Sequence, residues 1–166
     1  MKGWLVGATA TALLAAAPVL EAQESGIPVG TRAPVVTVND LDGKPVDLGQ
    51  FIGKRPVFLE FWATWCEQCD ALLPRLRAAQ AAYGSQVEFF GVNVTVNQSP
   101  ERVRKYLQTH QPGFRVLYDD QGTSIRAFQV PATSYVVIVD RAGKVAYTGT
   151  GGSQEFDGVL RKVVRN

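Results

Sequence analysis

The chain has 166 residues, of which 46% are hydrophobic and 19% charged, a balance that supports one globular domain with a substantial core. Its formal net charge is only +2, and no block of like charges occurs. Neither nucleic acid nor an anionic membrane surface is therefore indicated as a partner, and composition alone indicates a compact soluble domain.

The first residues have the pattern of a secretory signal. Lys2 is followed by an uncharged run of apolar and small residues over 3–20, and cleavage after Ala22 would remove residues 1–22. One alternative is a retained membrane anchor, although the run is marginal against the ~20 residues that span a bilayer. The other is a buried helix, which the Ala-rich pattern disfavours. We predict a periplasmic or extracytoplasmic protein, anchored to the membrane if the signal is retained.

The first half of the remaining chain predicts a hairpin, a strand and a helix. Segments 35–38 and 46–48 flank a turn-rich stretch and predict a β-hairpin. Residues 57–62 are almost continuously apolar, which is typical of a central strand buried on both faces. Apolar residues at three- and four-residue steps predict a helix over 70–83, and Pro74 should kink it.

The next segment continues the alternation of strands and helices. A second buried strand is predicted over 87–94. Ser99 and Pro100 form an N-cap followed by proline at the first helical position, which predicts a helix to about His110. Residues 114–118 read as extended and 123–128 as a short helix.

The chain ends with a second hairpin and a helix. Residues 135–139 and 145–147 flank a turn and predict the hairpin, and residues 153–164 predict the closing helix. Strands that alternate with helices and end in an antiparallel pair indicate an α/β sandwich with a mixed sheet. We divide the chain into the signal, 1–22, a flexible lead-in, 23–33, and one domain, 34–166.

Both cysteines of the chain, Cys66 and Cys69, fall where the buried strand gives way to the helix. The first helical turn has unpaired N–H groups and a partial positive charge, which stabilise a thiolate. We therefore expect Cys66 to be the attacking residue, with an exposed sulfur. Cys69, one turn further and more buried, is placed to close the disulfide.

A structural disulfide and a metal site are the alternative uses of the pair. An inert structural disulfide is disfavoured because a two-residue loop constrains little of the unfolded chain. A metal site needs three or four ligands, and His110 is the one nitrogen ligand in the sequence. The pair, its position and the preceding Trp65 favour redox chemistry. A module that binds copper or iron through the dithiol, and a redox-inactive scaffold, remain as alternatives.

At these residues the sequence resembles the thioredoxin superfamily and, within it, the exported TlpA/ResA-type proteins. The resemblance covers about Gly30 to the C-terminus. Its motifs are Gly-x-x-Ala-Pro (30–34), Leu-Asp-Gly-Lys (41–44), Phe-Trp-Ala-Thr-Trp-Cys-x-x-Cys (61–69), Pro74, Leu-Tyr-Asp (117–119) and Asp-Arg-Ala-Gly-Lys (140–144). It implies a thioredoxin fold over 34–166, with a central mixed β-sheet flanked by helices and an N-terminal β-hairpin extension.

The resemblance also implies an activity and partners. The family carries out thiol–disulfide exchange, and many relatives act as reductants in cytochrome c maturation or in oxidase copper-site assembly. We therefore expect a monomeric enzyme that acts on disulfides of exported proteins and receives electrons from a membrane donor. We expect no cofactor besides the redox-active Cys66–Cys69 disulfide, no nucleic acid and no resident metal.

Glu60 stands six residues before Cys66, where thioredoxins place a buried acid that assists proton transfer to and from the inner cysteine. A carboxylate in an apolar strand should have a raised pKa, which suits a proton acceptor near neutrality. The alternative is a polar residue satisfied by the backbone or by water. Many relatives also carry Glu three residues after the second cysteine, where this chain has Leu72. We interpret Glu60 as the residue that performs the function of this Glu, from the opposite side of the cysteine pair.

The dipeptide between the cysteines, Glu67-Gln68, bears on the direction of electron flow. An acidic neighbour opposes the Cys66 thiolate, which raises the pKa of the thiol and makes the couple more reducing. A plain surface charge is the alternative reading of Glu67. Together with the habit of the family, the dipeptide predicts a reductant.

The chain departs from the family at the position of the cis-proline that faces the cysteine pair in thioredoxins. Counting back from 140–143 places that position on Ser134, preceded by Thr133, whereas Pro131 comes three residues too early unless the strand is longer than usual. A cis bond before serine would cost about 3 kcal/mol, so we predict a trans link. That proline normally shapes the peptide groove and keeps metals off the dithiol, so its loss should alter partner binding and would admit a metal.

The expected partner site lies around the cysteine pair. Trp65 and the loop from Val130 to Ser134 should frame it on two sides. The residues predicted to contact a partner are Trp65, Glu67, Gln68, Val130, Thr133 and Ser134.

Overall fold

The structure, a computed structural model, describes residues 25–165. The predicted signal over 1–22 lies outside the described residues. Within 25–165, none of the helices has the length and apolar character needed to cross a bilayer. The elements in chain order are β1 Thr37–Asp40, β2 Pro45–Asp47, a 3-10 helix Leu48–Gln50, β3 Val57–Trp62, α1 Glu67–Tyr83, β4 Glu88–Asn93, α2 Pro100–Leu107, β5 Arg115–Tyr118, α3 Thr123–Ala127, β6 Tyr135–Val139, β7 Val145–Thr150 and α4 Asp157–Arg165.

All seven strands form one mixed sheet in the order β2-β1-β5-β4-β3-β6-β7. β3 lies near the middle, parallel to β4 and antiparallel to β6, and β4 is parallel to β5. The N-terminal hairpin of β1 and β2 joins the sheet antiparallel to β5. The predicted mixed sheet with an N-terminal hairpin extension is therefore confirmed.

The two faces of the sheet carry separate hydrophobic cores. All six residues of β3 are buried, because helices cover the strand on one face and the remaining chain covers it on the other. Side chains alternate along a strand, so Val57, Leu59 and Phe61 enter one core while Phe58 enters the other. The core around Phe58 includes residues of α1 and α4, and the one around Phe61 includes Phe128 next to α3.

Helix α1 begins at Glu67, three residues before the predicted start. The apolar periodicity begins only at Leu72, so the polar first turn left no pattern to detect. The start is set instead by Cys66, whose Sγ caps the helix by accepting the N–H of Cys69 at 3.1 Å. Pro74 lies inside the continuous helix.

Residues 25–33, the described part of the predicted flexible lead-in, are instead anchored along β7 and β6. The N–H of Gly30 donates to the carbonyl of Val145 at 2.7 Å. The N–H of Ile27 donates to the hydroxyl of Tyr135 at 3.1 Å, and Ile27 itself is buried in the core. Gly26 makes this approach possible, because a Cβ at its φ of +103° would lie 2.2 Å from the Tyr135 hydroxyl oxygen.

Candidate active site

The cysteine pair lies at the junction between β3 and α1, as the sequence predicts. Cys66 and Cys69 form a disulfide with a Cα–Cα distance of 5.2 Å. Both belong to a small cluster with Trp62, Ala63 and Val103, which brings α2 against the junction. The first turn of α1 therefore holds the disulfide at the end of a buried strand, where its free N–H groups favour a thiolate.

The expected difference in exposure between the two cysteines is wrong for this oxidised form. Cys66 and Cys69 are each 4% exposed. Cys66 is covered because its sulfur turns back towards the helix, where it bonds to Cys69 and caps the first turn. Sequence position alone did not predict this capping contact, which draws the outer sulfur inward.

Trp65 presents an exposed apolar surface beside the disulfide. Its side chain is 48% exposed, and its indole N–H donates to the carbonyl of Val96 at 2.8 Å. Val96 is itself 59% exposed, so the two residues form one apolar patch. The sequence identified Trp65 and missed Val96, because Val96 reaches the site only through the loop between β4 and α2.

Glu60 lies on the same face of β3 as Phe58 and Trp62, directed towards α1. It is 4% exposed, so its carboxyl group lies almost entirely out of contact with solvent. Burial, with a smaller contribution from the charge of Asp70, raises the pKa of Glu60 to about 8. The predicted raised pKa of Glu60 is thus supported.

A small cavity joins Glu60 to the inner cysteine. Its volume is about 20 Å³, and both Glu60 and Cys69 line it. Room of this size suffices for one water molecule. The other lining residues are Trp62, Leu73, Tyr106, Leu107, His110, Pro112 and Phe114.

Ser134, the predicted position of the family's cis-proline, lies directly before β6. No cis peptide bond occurs within residues 25–165, so the trans link predicted before Ser134 is confirmed. Ser134 is fully buried with a φ of +60°, an uncommon conformation for a residue with a side chain, and its hydroxyl finds no hydrogen-bond partner in the described part of the chain. The predicted position of the proline is therefore held by a buried serine in a left-handed backbone conformation.

A loop after β7, residues 151–154, ties Ser134 to the cysteine helix. The Ser134 carbonyl accepts the N–H of Gly151 at 3.1 Å and the side-chain amide of Gln154 at 3.0 Å. The N–H of Gly152 donates to the side-chain oxygen of Gln68 at 2.9 Å. A Cβ on Gly152 would lie 2.7 Å from that of Ala71, so only glycine permits this approach.

This 151–154 loop is the part of the site that the sequence reasoning missed. We predicted that the last helix starts at residue 153, whereas α4 starts at Asp157 because the preceding residues make the loop. The paired glycines, Gly151 and Gly152, were the available signal. Gln68 was expected to face a partner, and although the residue is exposed its side chain is held by the loop.

The other residues predicted to contact a partner differ in their exposure to solvent. Glu67 is exposed in the first turn of α1. Thr133 is half-buried, and Val130 packs against the core that contains Phe61. The exposed part of that loop is formed by Pro131 and Ala132, which the sequence reasoning left out.

His110, the nitrogen ligand considered for a metal, does line the cavity with Cys69. Its ring stacks on Tyr106 with centroids 4.1 Å apart and planes 9° from parallel. Over residues 25–165 the structure contains no group of three or more His, Cys, Asp or Glu side chains that could hold a metal ion.

A Cys-x-x-Cys pair at this junction of a strand and a helix is typical of thioredoxin-fold thiol–disulfide oxidoreductases. The family model described as AhpC/TSA family matches residues 29–148, more than half of the chain. The chain therefore belongs to the AhpC/TSA family. The predicted membership of the thioredoxin superfamily and the predicted enzyme class, thiol–disulfide oxidoreductase, are confirmed.

Individual relatives agree with this assignment. The thiol-disulfide oxidoreductase ResA of Geobacillus thermodenitrificans is 31% identical over 136 residues, which cover 81% of this chain and 76% of that protein. A thiol:disulfide interchange protein of the thioredoxin family from Chlorobium tepidum has a TM-score of 0.69 at 25% identity, covering 81% of this chain and 97% of that one. The exposed lipoprotein thioredoxin Etrx1 of Streptococcus pneumoniae has a TM-score of 0.65 at 25% identity, covering 80% and 100%.

Proposed function

We propose that this protein reduces disulfides in exported partner proteins by reversible opening and closing of the Cys66–Cys69 disulfide. The observation that carries the proposal is the disulfide at the N-terminus of α1, with the buried carboxyl of Glu60 sharing a cavity with Cys69. This arrangement supplies an attacking sulfur, a resolving sulfur and a proton acceptor within one site.

The reaction follows from these three groups. In the reduced protein the Cys66 thiolate attacks one sulfur of the partner's disulfide, and the other partner sulfur leaves as a thiolate. The Cys69 thiol then gives its proton to Glu60 and attacks Cys66 Sγ, which releases the second partner sulfur. Two electrons pass to the partner, and the Cys66–Cys69 disulfide forms. A dithiol donor at the membrane then reduces this disulfide for the next cycle.

Acidic side chains near the pair support the reducing direction. Glu67 and Asp70 both lie in the first turn of α1, where their negative charges oppose the thiolate that the helix N-terminus favours. Because a less stable thiolate means a less stable reduced form, these charges shift the couple towards the reductant side.

Two observations support an extracytoplasmic location. The sequence begins with the pattern of a secretory signal over 1–22. The pneumococcal relative is described as an exposed lipoprotein. In such a compartment a partner disulfide persists until a dedicated reductant opens it, as in cytochrome c maturation or in oxidase copper-site assembly.

Replacement of Cys69 by alanine tests the proposal. Without a resolving sulfur, the Cys66 mixed disulfide with a partner should accumulate, because the second step requires the Cys69 thiol. The measurement is non-reducing electrophoresis of the reduced variant after mixing with oxidised insulin, followed by mass spectrometry of the linked cysteine. The Cys66→Ala variant, which keeps the other sulfur, is the matched control and should give no adduct. Equal adducts from both variants would contradict the assigned order of attack.

A further inference from the structure

Tyr106 stands between the Glu60 cavity and the protein surface. It projects from α2 and lines the cavity that contains Glu60 and Cys69. Its hydroxyl donates a hydrogen bond to the carboxylate of Asp70, on the first turn of α1. Its ring is held between His110 and Trp62, at centroid distances of 4.1 Å and 5.4 Å.

Burial decreases from Glu60 through Tyr106 to Asp70. Glu60 is buried, Tyr106 is half-buried and Asp70 is exposed. A buried acid that cycles its proton during turnover needs a connection to water, because a proton does not cross apolar packing unaided. Tyr106 and Asp70 provide polar groups between the cavity and the solvent on this side.

We propose that Tyr106 and Asp70 form the proton relay that connects Glu60 with bulk solvent. The proposal rests on the function assigned above, in which Glu60 takes the proton of Cys69. It goes beyond that function by assigning the route through which Glu60 releases its proton to solvent. In this proposal both residues are positioning residues that act through Glu60.

Each transfer moves one proton in net terms from Glu60 to solvent. The protonated Glu60 carboxyl gives its proton to a water in the cavity, and that water gives a proton to the Tyr106 oxygen. The original Tyr106 hydroxyl proton passes to the Asp70 carboxylate, which releases it to solvent. A tyrosine hydroxyl both donates and accepts, so Tyr106 remains neutral throughout. Rotation of the hydroxyl then restores the starting state.

The charges around Tyr106 fit a neutral relay. Burial, followed by the hydrogen bond to Asp70 and the charges of Asp70 and Glu60, raises the pKa of Tyr106, whereas the guanidinium of Arg77 acts in the opposite sense. The hydroxyl therefore stays protonated at the pH of function. His110 stacks on the ring, and its Nδ1 lies 3.2 Å from the Tyr106 carbonyl.

The test starts from a mixed disulfide between Cys66 and a small aromatic thiol, and it measures the rate at which Cys69 closes the Cys66–Cys69 disulfide. The aromatic thiolate that closure releases is monitored in a stopped-flow experiment. At pH 7 Glu60 is mostly protonated, since its pKa is about 8, and it must lose a proton before it can accept another. We expect Tyr106→Phe, which keeps the ring, to slow closure at least about tenfold at pH 7 and not at pH 9. Asp70→Asn should slow closure at pH 7 as well.

The chain offers a matched control in a second tyrosine–aspartate pair. Tyr83 donates to Asp157 at 2.5 Å, far from the cavity, and Tyr83→Phe should leave the rate unchanged. In a Glu60→Gln background, Tyr106→Phe should add no further loss, because the relay then has no proton to carry.

Each contrary outcome has a distinct meaning. A normal rate in Glu60→Gln would overturn both the assigned role of Glu60 and the relay. A slow Glu60→Gln together with a normal Tyr106→Phe or Asp70→Asn would overturn the relay alone. Equal slowing by Tyr106→Phe at pH 7 and pH 9, or slowing by Tyr83→Phe, would show a packing defect and would likewise overturn it.

Discussion

Replacement of Cys66 by serine is expected to abolish disulfide reduction, with a loss of at least about 1,000-fold. A serine hydroxyl at the N-terminus of α1 still caps the helix, so the fold should persist. It is not ionised near neutral pH and forms no bond to sulfur, so the first step of exchange is lost. The measurement is the turbidity rate of insulin reduced by the protein in the presence of dithiothreitol.

The matched variant is Cys69→Ser, which keeps the attacking sulfur and should still form the mixed disulfide. Circular dichroism of both variants checks that the fold is retained. If Cys66→Ser retained the wild-type rate, the protein would be a scaffold in which the cysteine pair is incidental.

Replacement of Glu60 by glutamine is expected to remove a large pH dependence of stability. The pKa of Glu60 is raised from 4.5 to about 8 in the folded protein, so the native state binds this proton more tightly than the unfolded chain does. The free energy of unfolding is therefore highest below pH 4.5, falls as the pH rises to about 8, and is constant above it. A shift of this size corresponds to roughly 5 kcal/mol at most.

Glutamine has the shape of the protonated acid and no charge to bury, so Glu60→Gln should lack this decrease. The measurement is the difference in unfolding free energy between wild type and variant, from urea denaturation of the oxidised proteins at pH 5, 7 and 9. Glu101→Gln, on the exposed face of α2, controls for the loss of one carboxylate. A difference for Glu60→Gln that did not grow between pH 5 and pH 9 would show that Glu60 is not desolvated.

The sequence predicted those parts of the fold that depend on local pattern. The bounds of β3, 57–62, agree with the prediction, because a strand covered on both faces is apolar throughout. The Ser99 cap of α2 also agrees, since its side chain accepts the N–H of Arg102, three residues away. The cysteine pair was placed correctly because motif and junction coincide in the chain.

The contacts that complete the site come from residues far apart in the sequence. Gln68 and Gly152 are separated by 84 positions, and Asp70 and Tyr106 by 36. No local periodicity encodes such pairs, because only the packing of the sheet and helices brings them together. These two contacts therefore could not be predicted from the sequence, although the paired glycines at 151 and 152 did indicate a loop.

For Ser134 the sequence and the structure supply different information. The count from the last hairpin predicts that Ser134 stands where the family carries its proline, and the structure shows this serine buried in a left-handed conformation, with no hydrogen-bond partner for its hydroxyl within residues 25–165. Its carbonyl accepts hydrogen bonds from Gly151 and Gln154, whereas Pro131 and Ala132 of the same loop are exposed.

The reduction potential of the Cys66–Cys69 couple is the decisive quantity for a protein proposed to donate electrons to partner disulfides. It is measured by equilibrating the protein with dithiothreitol or glutathione redox buffers at pH 7 and quantifying the reduced fraction by thiol alkylation. We predict a potential close to that of thioredoxin, about −270 mV, because the acidic side chains around the pair disfavour the thiolate. A potential above about −180 mV, in the range of disulfide-forming enzymes, would contradict the assignment as a reductant.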